Sequence, residues 1–368
     1  MQSLIGPQYL PLNNGSVVDK VTPDMLHLIH PYWHRFPPME PVMTKILGTF
    51  LGMAGILSFF GNGMVVYIFS TTKALRTPAN LLVLNLAFSD FSMMTTSCPM
   101  ITINLFHETW VLGPLVCDIY GMLGSIFGCV SIWTMCMIAV DRYEVIVKGV
   151  TGRPMTVKLA IVKIILIWVF SAFWTVAPMF GWSRYIPEGN LTSCGVDYLT
   201  QDWNPKSYLI AYTIFCYILP LFLICYSYWF IIAAVSAHEK AMREQAKKMN
   251  VKSLRSSEDA NKSTEGKIAK VALVSISLWF LAWTPYGILN FMGFFESDAL
   301  TPTISIWGAA FAKAGSSYNP VVYGISHPKY RSALKERFSF LVCGKTEEPI
   351  RSELSSVGTI KEHEETAT

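Results

Sequence analysis

PTISIWGAAFAKAGSSYNPVVYGIS (residues 302–326) is apolar or small almost throughout, yet carries one cation, Lys313, near its middle and an Asn-Pro pair, Asn319-Pro320, beyond it. A run of this length crosses a hydrocarbon core, which takes about 20 helical residues. Lys313 stands eleven residues past Pro302, about 16 Å along a helix and close to the bilayer midplane. A lysine there costs roughly 2.5–3.5 kcal/mol on insertion scales and marks a functional site by default. The competing reading is a structural lysine paired to a carboxylate. Snorkelling fails because the end of the span is too far away. A buried lysine amine suits Schiff-base formation.

Working outward from this stretch, six further apolar runs appear, giving seven spans in all: Thr44–Ser70, Ala79–Phe106, Leu115–Val147, Lys158–Gly181, Ser207–Ala237, Lys267–Phe295 and Pro302–Ser326. Charged residues make up 15% of the chain and apolar ones 52%, a membrane rather than a soluble balance. The expected fold is therefore an all-α seven-transmembrane bundle over residues 44–326. An outer N-terminal tail spans 1–43, an amphipathic membrane-surface helix 327–342 and a disordered cytoplasmic tail 343–368. Prolines interrupt five spans, at Pro99, Pro178, Pro220, Pro285 and Pro320. Neighbouring helices can re-satisfy the carbonyls that such prolines free.

A net charge of +4 gives no global support for nucleic acid binding, and the placement of the charges matters more. With the N-terminus outside, outer segments hold Lys20, Arg35, Lys45, Arg184 and Lys206. Lys163 and Lys313 fall inside spans, and the other 22 of the 29 basic residues lie on inner loops and the tail. This is the positive-inside pattern, and it puts the C-terminus in the cytoplasm. No secretory leader is visible, so the first span is expected to act as its own insertion signal. The eight cysteines form no CxxC pair or Cys/His cluster, which weakens zinc and haem readings.

Cys117 opens the third span and Cys194 lies in the longest outer loop. Both face an oxidising side, where a disulfide is natural and would pin the loop over the bundle. Glu188, in the same loop, then becomes either a counter-charge near the bundle centre or a solvated acid. Asp90 is the second intramembrane charge and shares its depth with Asn62 and Asn319. The three read as a polar cluster holding water or sodium, or as a helix-packing network. Asp90 sits too far toward the cytoplasm to partner Lys313. Asp141-Arg142-Tyr143 ends the third span and reads either as interface anchoring or as part of a switch. Asn14 is the expected glycan acceptor. Asn190 carries the same sequon but lies in a loop expected to fold inward. The segment Ser236–Lys270 is strongly basic and continues helically into the cytoplasm. Residues 327–338 alternate basic and apolar residues at helical spacing, and Cys343 beyond them is a palmitoylation candidate.

Taken together, Gly61-Asn62, Leu86-Ala87 with Asp90, Asp141-Arg142-Tyr143, Trp168, Trp283-Thr284-Pro285 and Asn319-Pro320-Val321-Val322-Tyr323 resemble the rhodopsin-like G-protein-coupled receptors over almost the whole chain. Within that family, Phe311 to Pro320 looks like the retinal-attachment segment of opsins. The run from His327 to Arg331 and the long inner extension look like rhabdomeric arthropod visual opsins, with a likeness to those of spiders.

The resemblance implies 11-cis-retinal on Lys313 as a protonated Schiff base, all-trans after light, and a bound form that reverts with a second photon. It implies signalling through a heterotrimeric G protein of Gq type, with arrestin and a receptor kinase as further partners, in the rhabdomeral plasma membrane. No enzyme activity is expected. Trp283 and Tyr286 would line the ring pocket. Asp141, Arg142, Tyr143, Asn319, Pro320 and Tyr323 would form the inner switch. One departure stands out: the vertebrate counterion position is Tyr120 here, which is uncharged at neutral pH. The counter-charge then falls to Glu188, directly or through water and hydroxyls such as Ser193. The alternatives are a retinal photoisomerase and a chemical-ligand receptor of the same fold. A channel or pump would need a chain of intramembrane acids, and Asp90 alone is evident.

Overall fold

A computed structural model describes residues 15–153, 155–248, 257–326 and 328–338. Helix α1 spans Pro41–Thr71, α2 Pro78–His107, α3 Pro114–Tyr143 and α4 Val157–Val176. A hairpin follows, of strands β1 (Tyr185–Glu188) and β2 (Ser193–Val196). Helix α5 runs through Trp203–Thr213, a π-helical turn Ile214–Ile218 and Leu219–Lys248. Helix α6 spans Ser257–Phe294. The last crossing, α7, is Pro302–Ala314, a 3-10 turn Gly315–Ser317 and Asn319–Ser326, and α8 is Pro328–Arg337.

Several starts are legible locally. Proline occupies the first turn of α1, α2, α3 and α7, where its missing N–H is no loss. Threonine side chains cap α2, α4 and α7: Thr77 accepts from the Asn80 N–H, Thr156 from Leu159 and Thr301 from Ile304. Outward faces carry large apolar side chains such as Phe60, Val169 and Trp229, all more than half exposed, as a lipid-facing surface requires. Among the described residues, six helices are long and apolar enough to cross a membrane. The seventh crossing, α7, falls outside that description because it is broken at Tyr318 into shorter pieces.

That division has a local cause. Pro320 has no N–H to offer the carbonyl four residues back, that of Ser316. Asn62 on α1 supplies the missing donor, its Nδ2 lying 2.9 Å from Ser316 O, and Ser58 Oγ lies 3.4 Å from the same oxygen. Pro178 poses the same problem for Trp174 O, and the Tyr208 hydroxyl of α5 donates to it at 2.8 Å. Lipid could satisfy neither carbonyl, so each proline break is matched by a polar neighbour on another helix.

Helix α3 is central, packing against α2, α4, α5, α6 and both strands. Helix α8 lies against the inner end of α1. Tyr330 and Ala333 are buried with Val65, Ile68 and Phe69, and Arg337 Nη1 donates to Thr71 Oγ1 at 2.6 Å. The outer end is closed by residues read from sequence as part of a tail. Residues 15–36 form three 3-10 turns, Val17–Lys20, Leu26–Leu28 and Pro31–Arg35, with Met25 and Trp33 fully buried. The Tyr32 hydroxyl donates to Leu300 O at 2.6 Å, Arg35 pairs with Asp298 at 2.9 Å, and Lys20 pairs with Glu108.

Candidate ligand-binding site

The hairpin is what brings a loop acid into the bundle. Glu188 pairs with Ser193 and Pro187 with Cys194 across the two strands. Cys194 is bonded to Cys117 at the head of α3, with Cα atoms 5.5 Å apart. Gly189 and Leu191 take positive φ in the connecting turn. All eight strand residues are buried, so this loop is a plug rather than a solvated strap. The disulfide expected from sequence is present, and the solvated-acid reading of Glu188 is excluded by its 2% exposure. Asn190 is equally buried and accepts from Thr192 Oγ1 at 2.7 Å, which leaves no outward path for a glycan.

Below the plug lies a cavity of about 210 Å³, walled by Tyr120, Gly124, Trp283, Tyr286, Ala312 and Lys313 among others. Lys313 Nζ points into it, 4.9 Å from the centroid of the Tyr120 ring. Glu188 faces the same region from above. Its Oε1 accepts from Ser193 Oγ at 3.3 Å and its Oε2 from the Tyr286 hydroxyl at 3.2 Å. Burial pushes the Glu188 carboxyl up from its ordinary value, opposed first by the Lys313 charge and then by the Tyr286 and Ser193 hydroxyls. Lys313 and Glu188 interact through space without forming a contact ion pair. The Tyr120 hydroxyl is buried with no hydrogen-bond partner among the described residues.

The room itself comes from glycines on one face of α3. A Cβ on Gly128 would lie 2.6 Å from the Trp283 ring, and one on Gly124 would meet nothing within 4 Å. Gly195 on β2 leaves the space between the Tyr286 hydroxyl and Glu188, 2.5 and 2.7 Å from where a Cβ would stand. These glycines were not singled out from sequence, although their spacing along α3 is a readable signal. Tyr198 and Tyr217 were also missed. Tyr198 bonds Ser305 at 3.1 Å beside Glu188, and Tyr217 reaches α6.

Toward the inner side, Asp90 accepts from Ser131 Oγ at 2.9 Å and from Asn319 Nδ2 at 2.6 Å. Asn62 was grouped with these two but bonds Ser58 and Ser316 O instead. The carboxylate of Asp90 is thus engaged away from Lys313. At the end of α3, Arg142 is buried and paired with its neighbour Asp141, which is more than interface anchoring requires. The Tyr143 ring packs tilted against Tyr226 and edge-on against Phe230 of α5. Asn319 and Pro320 begin the last stretch of α7, to which Tyr323 belongs. The Tyr323 side chain, Asn14 and Cys343 lie outside the described set.

Residues 61–323 match the family model described as 7 transmembrane receptor (rhodopsin family). The chain is 68% identical over 361 residues to "Opsin Rh1" of Calliphora vicina, covering 98% of this chain and 97% of that one. It is 67% identical over 363 residues to "Opsin Rh1" of Drosophila melanogaster, covering 99% and 97%. The crystal structure of squid rhodopsin superposes with a TM-score of 0.82 at 36% identity, covering 89% of this chain and 94% of that one. These two relatives are insect proteins, and the spider likeness stays an expectation from sequence. A divided seventh crossing, a plugged cavity with a lysine in its wall, and this degree of identity lead to one conclusion: the chain belongs to the rhodopsin family of seven-transmembrane receptors, as a visual opsin, a light-activated G-protein-coupled receptor rather than an enzyme.

Proposed function

We propose that Lys313 Nζ holds 11-cis-retinal through a protonated Schiff-base link and that Glu188 is its counter-charge. The carrying observation is one buried amine in the cavity wall and one buried carboxyl bonded to Tyr286 of the same wall, with a second hydroxyl, from Ser193, on the acid. The cavity fits an apolar, elongated aldehyde. Its walls are glycine-lined and aromatic, and its charge is concentrated at the Lys313 end. Bound retinal supplies the absorption of visible light and a change of shape, to the all-trans form, on absorbing it.

The chain's own residues do the rest. Tyr120 places a ring face and an unpartnered hydroxyl beside Lys313 Nζ, which favours a cation there without adding a second charge. Ser193 and Tyr286 orient the Glu188 carboxylate and disperse its charge. The plug keeps bulk water from both groups, so their attraction acts in a low dielectric. Trp283 and Tyr286 form the wall on α6 and respond to ligand shape, the differential interaction that shifts a two-state bundle. Asp141, Arg142, Tyr143, Asn319, Pro320 and Tyr323 form the inner switch.

The partner is a heterotrimeric G protein. The resemblance to the rhabdomeric class favours Gq type, followed by a receptor kinase and arrestin. The helical extension of α5 to Lys248 gives such a partner a basic inner surface. Lys/Arg placement supports an outside N-terminus, and the resemblance to the rhabdomeric class favours the rhabdomeral plasma membrane. A sodium ion or water beside Asp90, a glycan on Asn14 and a palmitoyl chain on Cys343 complete the proposal.

The test is Lys313→Ala, expressed as the full chain and mixed with 11-cis-retinal. The visible band should be lost, and borohydride treatment followed by mass spectrometry should find no retinyl adduct. A covalent pigment on the variant overturns the attachment.

A further inference from the structure

Tyr217 sits in the π-helical turn Ile214–Ile218 of α5, three residues before Pro220. A π turn carries an extra residue and re-aims the side chains around it, and such turns concentrate at functional sites. The Tyr217 hydroxyl lies 2.7 Å from Thr284 Oγ1 on α6. Thr284 Oγ1 in turn donates to Phe280 O at 2.6 Å. A threonine hydroxyl has one hydrogen, and it is committed to Phe280, so Tyr217 is the donor and Thr284 the acceptor.

The surroundings make this bond more than packing. Tyr217 and Thr284 both line the cavity that holds Lys313 and Trp283. The Tyr217 ring packs edge-on against Phe280 at 5.5 Å and tilted on Trp279 at 6.3 Å. Trp279 stacks on Trp283 at 5.3 Å. Thr284 immediately precedes Pro285, which interrupts the hydrogen-bond ladder of α6. One hydroxyl pair therefore ties α5 to α6 at the residue before the weak point of α6, within the wall of the ligand cavity.

We infer that the Tyr217–Thr284 hydrogen bond is a clasp that holds α5 and α6 in the resting arrangement, making Tyr217 a positioning residue for light-driven signalling. It rests on the reading of the cavity as the chromophore site. The clasp is made in the dark state and lost when α6 moves at Pro285. Removing it lowers the cost of the signalling state by one hydrogen bond, a shift of roughly fivefold in population.

The test uses the full-length receptor in membranes with 11-cis-retinal and a purified G protein, reading nucleotide exchange in the dark and in light. The wild-type absorption band checks the chromophore reading separately. Tyr217→Phe and Thr284→Val should each raise dark exchange about fivefold. The ratio of light-driven to dark exchange should fall, the double variant should match the single ones, and Thr284→Ser should restore the wild-type value. A merely structural role predicts that dark and light exchange fall together. Unchanged dark exchange in both variants, additive effects in the double variant, or failure of Thr284→Ser to rescue overturns the clasp. Should Tyr217→Phe not form pigment, Thr284→Val and Thr284→Ser carry the test alone.

Discussion

Glu188 shows how a single residue takes its role from its surroundings. Burial favours its neutral form, and the Lys313 charge together with two hydroxyls favours the ionised one. Replacing Glu188 with Gln keeps the shape but turns one of the two accepting oxygens into a donor and leaves the cation of the chromophore link unpaired. The pH at which the visible band converts to the ultraviolet form should then fall by at least about one unit, read by spectrophotometric titration of the dark pigment. An unchanged titration would assign the counter-charge elsewhere. The reverse experiment has the opposite sign. In Lys313→Ala the opposing charge is gone, so Glu188 moves further up. Its protonated-carboxyl infrared band should persist to higher pH than in the wild-type apoprotein. An acid raised in this way contributes its full stability at pH below its unfolded value, and that contribution is lost as pH rises through the folded value.

At the scale of an element, α7 is held together across its break by α1. Asn62 donates to the Ser316 carbonyl that Pro320 leaves open, and that carbonyl is buried. Asn62→Ala removes this donor while Ser58 remains at 3.4 Å. The expected loss is about 1–3 kcal/mol, visible as faster thermal decay of the dark pigment with the absorption maximum unchanged. A decay rate equal to that of wild type would mean that Ser58 alone satisfies the carbonyl. The apolar run over residues 302–326 announced a crossing, and Asn319-Pro320 announced a weak point within it. Nothing local announced that the repair would come from Asn62, which was expected in the Asp90 cluster. A side chain's partner across more than 250 residues is set by helix packing.

Over the whole molecule, the outer end is sealed twice, by the hairpin and by the folded segment 15–36 above it. Trp33, Val17 and Val18 share a buried cluster with Leu191 of the plug and Leu289 and Leu300 around α6 and α7. Trp33→Ala should cost roughly 3–5 kcal/mol of the apolar contact that closes this end. Hydroxylamine, which attacks Schiff-base links, should then bleach the dark pigment faster in Trp33→Ala than in wild type. Equal bleaching rates would show that the hairpin alone is the barrier. The N-terminal tail read over residues 1–43 gave no sign of these turns, for a physical reason. Its short 3-10 turns have no periodicity of their own and are stable only against the surface they cover.

The sequence by itself determined the seven crossings and the place of Lys313 within the last of them. Lipid offers no hydrogen bonds, so a long apolar run must close its backbone bonds internally as a helix, and a charge within it is placed by the rise per residue alone. Only the tertiary structure decided what Lys313 faces. Glu188 meets Tyr286 of the cavity wall because a disulfide and a four-residue strand register fold its loop inward. The glycine face of α3, the Asn62 repair of α7 and the Tyr217–Thr284 pair likewise depend on how helices distant in sequence pack. Such contacts are set by side chains meeting across the bundle, and periodicity along one helix carries no information about the other.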